Sequence, residues 1–270
     1  VGAGTVIGMT SVPDMPDTYT GTSGQAPSGF AATGGSIAVA AGRISYLFGL
    51  TGPCVTVDTA CSSSLVALHT GHGGVTQDEY VDSLACAVSL VPNPLVQAAI
   101  ALAKMLSGQG QCHTFDHRAD GYCRAEGCCT FTLEHGNHAA ASAAALLLAS
   151  MVQQDGASAT LTAPSGSAQR RLLRGVLSQA RQKACEVAYY EMHGTGTKLG
   201  DPIELGSAVD ATVRHRSNGN AALLCGSLKA NAGHMEPSAG GGGVMMVVIA
   251  AIGRSHASPN AQLRMRNPHL

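Results

Sequence analysis

The sequence predicts an α/β fold with a largely parallel sheet covered by helices on both faces. Three observations carry that prediction. Short apolar or β-branched runs alternate with helical patterns along the chain. Three of those runs end in polar loops holding a reactive side chain: Cys61, His193 and His234. No linker, low-complexity segment or short-period repeat divides the 270 residues.

Taken in order, residues 1–9 suit a first strand and 10–35 a loop rich in Gly, Ser, Thr and Pro. Residues 37–46 suit a helix. Val55 to Val57 suit a buried strand, and Ser62 to Leu68 the start of a packed helix, with Cys61 at the corner between them. Strands are expected at 84–88 and 128–133, and a helix at 95–105. The stretch 139–152 is ambiguous, because alanine favours helix while the apolar run suits a strand. Leu172, Leu173, Val176 and Leu177 share one side of a helix over 168–180. A strand at 185–190 runs into Glu191-Met192-His193-Gly194-Thr195-Gly196-Thr197. A helix follows, with Asp201 as cap, Pro202 in the first turn and Glu204 completing a capping box. A strand at 221–227 runs into Lys229 and His234, then a buried helix over 240–252 and an irregular end.

Composition excludes several functions. A net charge of −1 with 12% charged residues leaves no basic field for nucleic acid or an anionic membrane. The longest weakly polar stretches are too short to span a bilayer. Aromatics are 4% and Trp is absent, so small residues carry much of the packing, and the 34 glycines imply close turns. Nine cysteines without framework spacing read as reduced thiols of a soluble intracellular protein, in cytoplasm or organelle stroma. The chain begins without Met on a strand-like run, which suggests a fragment cut at both ends.

At a helix N-terminus, unpaired N–H groups and the helix dipole favour a thiolate, which makes Cys61 a candidate nucleophile; a buried structural cysteine is the alternative. Most of the eleven histidines have no distinguishing context, but His193 and His234 each follow a strand within a glycine-bearing turn. Two neutral imidazoles donating N–H groups into a dry cavity stabilise an enolate or oxyanion. A buried Lys229 beside them would keep them neutral or bind a carboxylate, and Glu236 would orient His234 or balance Lys229. Cys112, His113, His117, Cys123, Cys128 and Cys129 are metal-ligating types, but their spacing is not that of paired ligands, and no metal is expected.

Asp58-Thr59-Ala60-Cys61-Ser62-Ser63-Ser64, the stretch from Glu191 to Glu204, and Gly226-Ser227-Leu228-Lys229-Ala230-Asn231-Ala232-Gly233-His234 resemble, in order and approximate spacing, the three motifs of β-ketoacyl synthase domains of type I polyketide synthases. The resemblance implies a thiolase-like fold of two related βαβαβ halves in five layers, truncated here at both ends. The halves would be residues 1–150, carrying Cys61, and 151–270, carrying both histidines. It implies a homodimer, and as partner an acyl carrier protein bearing phosphopantetheine-bound acyl and malonyl groups. Cys61 would take the acyl chain, His193 and His234 would assist malonyl decarboxylation, and Lys229 would support them. No metal or organic cofactor is implied, because loss of CO2 generates the carbanion. Departures are Gly71 to Gly74, which suggest flexibility where relatives continue a helix, Gln153 where relatives often have Asn, and a missing C-terminal loop that supplies an oxyanion-hole N–H. A non-catalytic dimerisation fragment and a thiolase-type or hydrolytic acyltransferase remain as alternatives.

Overall fold

The computed structural model describes residues 2–10, 29–136, 143–160, 162–216, 222–253 and 259–270. Most of the loop expected over 10–35, the start of the ambiguous 139–152 stretch and residues 254–258 lie outside the described residues. In order, the elements are β1 (Gly4–Gly8), α1 (Ala31–Gly35), α2 (Ala38–Phe48), β2 (Cys54–Val57), α3 (Ser63–Thr76), β3 (Asp82–Ser89), α4 (Pro94–Leu102), β4 (Gly127–Glu134), α5 (Gly166–Gln179), β5 (Tyr189–Glu191), α6 (Gly200–Thr212), β6 (Leu224–Gly226), α7 (Lys229–Ala232) and α8 (Ala239–Ile252).

The chain forms two compact units that interleave in sequence. The first comprises Val1–Ala99, Glu126–Ala141 and Met235–Gly241; the second comprises Ile100–Ala125, Ser142–His234 and Gly242–Leu270.

In the first unit the strands lie in the order β2-β1-β3-β4. β1 is buried along its whole length and pairs in parallel with β2 and β3. β4 is antiparallel to β3, with Asp82 opposite Glu134 and Ser89 opposite Gly127, so the sheet is mixed at this edge. β3 alternates strictly, burying Ser83, Ala85, Ala87 and Ser89 on one face. Those small side chains let α3 approach closely. A Cβ added to Gly71 would lie 2.5 Å from the Ser83 Oγ, and one added to Gly74 would lie 2.0 Å from the Tyr80 ring. The glycines at 71–74 therefore continue the helix and fit it to the sheet, against the flexibility suggested by sequence. β2 also departs from expectation. Among the described residues it pairs with β1 alone, and Val55 is 39% exposed. A β-branched run signals a strand, but not which neighbour covers it.

In the second unit β5 and β6 pair in parallel, Tyr189 opposite Leu224 and Glu191 opposite Gly226. The expected strand at 185–190 begins in a 3-10 turn, Ala184–Glu186, and pairs as a strand only from Tyr189. α5 packs on α6. Phe115, Met192 and Ala208 form the buried core, flanked by Tyr190, Leu205, Cys225 and Leu270. Residues 145–152, the described end of the ambiguous stretch, are neither helix nor strand, and Leu146 and Leu148 are exposed.

Candidate active site

Cys61 lies in the first unit, in a 3-10 turn (Ala60–Ser62) between β2 and α3. The corner is tight. Ala60 has a φ of +51°, a conformation costly for a residue with a Cβ. Local hydrogen bonds hold it: the Ala60 N–H donates to Asp58 Oδ1 at 3.1 Å, the Thr59 N–H to Ser63 Oγ at 2.9 Å, and the Ser63 hydroxyl to the Ala60 carbonyl at 2.7 Å. A Cβ on Gly8, at the end of β1, would meet the Ser63 carbonyl carbon at 2.5 Å, so only glycine lets the strand end sit under the corner. The thiol is half-buried and rides at the start of α3, the positive end of that helix. Glu236 lies in the same unit, in a 3-10 turn (Glu236–Ser238) packed against Ala60–Ser62, with a φ of +40°.

The second unit brings His193, His234 and Lys229 together. The two imidazoles meet edge to face, with ring centroids 5.5 Å apart and planes at 89°. His193 follows β5 directly. Its N–H and that of Gly194 donate to the two oxygens of Glu204, at 2.5 and 2.9 Å. Asp201 collects the N–H groups of Gly196 and Thr197 on one oxygen and that of Phe115 on the other. Thus Asp201 and Glu204, expected as helix caps, are turned back to anchor the histidine loop, and α6 begins at Gly200 with Leu199 as N-cap. Burial raises both carboxyls, with the N–H donors opposing it. The Thr114 hydroxyl closes the far side on the Gly194 carbonyl at 2.5 Å.

His234 is held by a two-way backbone contact. Its N–H donates to the Cys123 carbonyl at 2.7 Å, and the Ala125 N–H donates to its carbonyl at 2.9 Å. Gly233, at φ +80°, makes the turn into it. Burial, then the charge of Lys229, then His193 lower the His234 pKa to about 2. His193, which keeps an exposed surface, is lowered by the protein packed around it and then by the charge of Lys229. Both rings are neutral at physiological pH. Lys229 is itself 5% exposed, at the start of α7, and the Leu228 N–H beside it donates to Glu191 Oε1 at 2.6 Å. Each neutral ring can donate one N–H, which suits a developing oxyanion.

A solvent-open cavity of about 260 Å³, lined by Leu173, Val176, Tyr189 and Tyr190 among others, holds neither histidine. Its walls are mostly apolar, and the Tyr189 hydroxyl there donates to Glu191 Oε2 at 2.8 Å.

Sequence reasoning missed Tyr122, whose ring meets His234 at 4.9 Å, and the anchoring roles of Thr114, Asp201 and Glu204. Two of these contacts, Thr114 to Gly194 and Phe115 to Asp201, join segments 80 and 86 residues apart, while Glu204 reaches back 10 and 11 residues to a loop whose path a capping pattern does not describe.

A strand-to-helix cysteine thus lies in the first unit, and a histidine pair beside a buried lysine in the second. The chain belongs to the β-ketoacyl synthase family: the family's N-terminal domain matches residues 1–139 and its C-terminal domain residues 144–263. It is 42% identical over 239 residues to polyketide synthase GfsA of Streptomyces halstedii, covering 87% of this chain and 3% of that protein. It is 42% identical over 225 residues to erythronolide synthase EryA3 of Saccharopolyspora erythraea, covering 82% of this chain and 7% of the relative. Among solved structures it matches the ketosynthase from module 6 of the bacillaene synthase of Bacillus subtilis 168, with a TM-score of 0.87 and 32% identity, over 99% of this chain and 45% of that one. The oxazolomycin ketosynthase domain of Streptomyces albus JA3453 gives a TM-score of 0.86 at 31% identity, over 99% and 46%. The fold is therefore the thiolase-like α/β fold of ketosynthases. The chain spans under half the length of the ketosynthase chains it matches, and only a small fraction of these polyketide synthases.

Proposed function

We propose that the protein is a β-ketoacyl synthase of polyketide biosynthesis. The observation that carries this is the pair of neutral imidazoles, 5.5 Å apart under the charge of Lys229, in a chain matching both domains of the family.

In this reading the Cys61 thiolate attacks an acyl thioester, forming a new thioester on Sγ and releasing the donor thiol. A malonyl thioester on acyl carrier protein then binds. The N–H groups of His193 and His234 donate to its thioester oxygen. The C–C bond to the carboxylate breaks, CO2 leaves, and the electron pair becomes an enolate stabilised by those donors. The enolate carbon attacks the Cys61 acyl carbon. The tetrahedral intermediate collapses to a β-ketoacyl product, and the Cys61 sulfur leaves. Burial first, and the charge of Lys229 second, keep both rings unprotonated, so they remain donors that cost no proton transfer. Glu236 is read as orienting the chain between His234 and α8. This chemistry calls on no cofactor.

The partners proposed are an acyl carrier protein and a second copy of this chain. Among the described residues β2 has no second strand beside it, and this, with the exposed Tyr46, Leu47 and Phe48, supports a dimer through that edge. The two halves are read as 1–150 and 151–270, a division supported by the family border between residues 139 and 144. The nine free cysteines support a reducing, intracellular setting. No helix among the described residues is long and apolar enough to cross a membrane.

Incubation with acyl and malonyl carrier-protein thioesters tests the function. The expected result is CO2 and a β-ketoacyl product two carbons longer. Free acid alone would point to a hydrolytic acyltransferase, and no turnover to a non-catalytic fragment.

A further inference from the structure

We propose that Tyr122 is a positioning residue for His234: its ring packs against the imidazole and fixes the direction of the N–H that the ring presents to substrate. This inference rests on the substrate-facing role proposed for His234.

The geometry is specific. The Tyr122 and His234 centroids are 4.9 Å apart with planes at 67°, an edge-to-face contact. With His193 at 89° on another approach, His234 is held by two aromatic neighbours. Tyr122 is 9% exposed, so its ring is fixed by packing.

Its backbone is also fixed. The Tyr122 N–H donates to the Met105 carbonyl at 3.1 Å, and its carbonyl accepts the Ser107 N–H at 2.9 Å. The residues on either side reach the two histidine loops. The Gly121 N–H donates to the Gly196 carbonyl at 3.1 Å, and the Cys123 carbonyl accepts the His234 N–H at 2.7 Å. Gly121 has a φ of +138°, and a Cβ there would meet the Met105 carbonyl oxygen at 2.6 Å, so the segment can follow this path only with glycine. Gly121 to Cys123 thus clasps the His193 loop at one end and the His234 backbone at the other, with the Tyr122 ring on the imidazole between them.

The backbone hydrogen bonds set where the His234 main chain sits, and the edge-to-face Tyr122 ring bounds the rotation of the imidazole about χ1 and χ2. It also excludes water from one side of His234, which helps keep the ring neutral. Among the charged or titratable groups that act on it are Lys229, from α7, His193, after β5, and Tyr122 itself.

The test compares Tyr122→Phe, which keeps the ring, with Tyr122→Leu, which removes it, with Tyr122→Met as a second apolar variant should the leucine protein fail to fold. Condensation kinetics and the ¹⁵N titration of His234 in the intact chain are measured. In Tyr122→Phe, kcat stays within about twofold of the parent. In Tyr122→Leu, kcat falls by about tenfold with the malonyl-thioester KM little changed, and the His234 pKa rises toward 6.5, adding an acid limb to the pH profile. A leucine protein with parental kcat and an unmoved His234 titration would overturn the proposal, as would a phenylalanine protein as impaired as the leucine one. The titration needs no turnover, so an inactive parent would refute the condensing function while leaving the positioning of His234 open to measurement.

Discussion

Glu204 concentrates the chemistry of the histidine loop in one side chain. Its two oxygens accept the His193 and Gly194 N–H groups, at 2.5 and 2.9 Å. A glutamine there has one carbonyl for two donors and turns an NH2 toward the other. Glu204→Gln is expected to lose about 0.5–1.5 kcal/mol of stability by urea unfolding, the net worth of one partly exposed hydrogen bond. Because the misplaced group is the backbone of His193 itself, kcat should fall by about tenfold or more. A variant with parental kcat and stability would show that the carboxylate does not hold the loop. The residues Cys61, His193, His234 and Lys229 were legible in the sequence because each stands in a motif at the end of a strand. Glu204 was visible only as a helix cap, since its acceptor role depends on how the chain folds back, which no local spacing encodes.

At the scale of elements, the fit of α3 to β3 depends on glycine. Gly74→Ala would set a Cβ 2.0 Å from Tyr80 Cζ, and the strain should cost about 1–3 kcal/mol. Gly42, inside α2, has nothing within 4 Å of an added Cβ. Gly42→Ala should instead gain about 0.5–1 kcal/mol, from the lower entropy of the unfolded chain and better helix propensity. Thermal melts of the two variants should therefore move in opposite directions; a shared sign would contradict the packing described. Element type was readable for α3, β1, β3 and α5, whose apolar patterns are clear. The edge position of β2 and the antiparallel sense of β4 were not, because period and propensity report neither a strand's neighbour nor its direction.

For the molecule as a whole, the neutral histidines link stability to pH. His234 has an ordinary pKa of 6.5 unfolded and about 2 folded. Above 6.5 the ring is neutral in both states and adds no pH dependence. Below it, the unfolded chain binds a proton that the folded protein refuses, so stability falls with decreasing pH, by up to about 1.4 kcal/mol per pH unit. Chemical denaturation at pH 7.5, 6.5 and 5.5 (buffer conditions chosen about the ordinary imidazole value) should show this fall, and a His234→Gln protein should show a shallower one. Equal slopes would mean that His234 is protonated in the folded protein. The family could be recognised before any coordinates because three motifs stand in order along the chain. The interleaving of the two compact units could not, since it follows from contacts between distant segments.

The most direct test is to follow the acyl group itself. The protein is loaded with an acyl thioester, the adduct located by peptide mass spectrometry, and malonyl carrier protein then added. The adduct should lie on Cys61, disappear with release of CO2 and a β-ketoacyl product in the parent, and persist when His193 or His234 is replaced by alanine. An adduct spread over several of the nine cysteines, or one discharged equally well without either imidazole, would contradict the account.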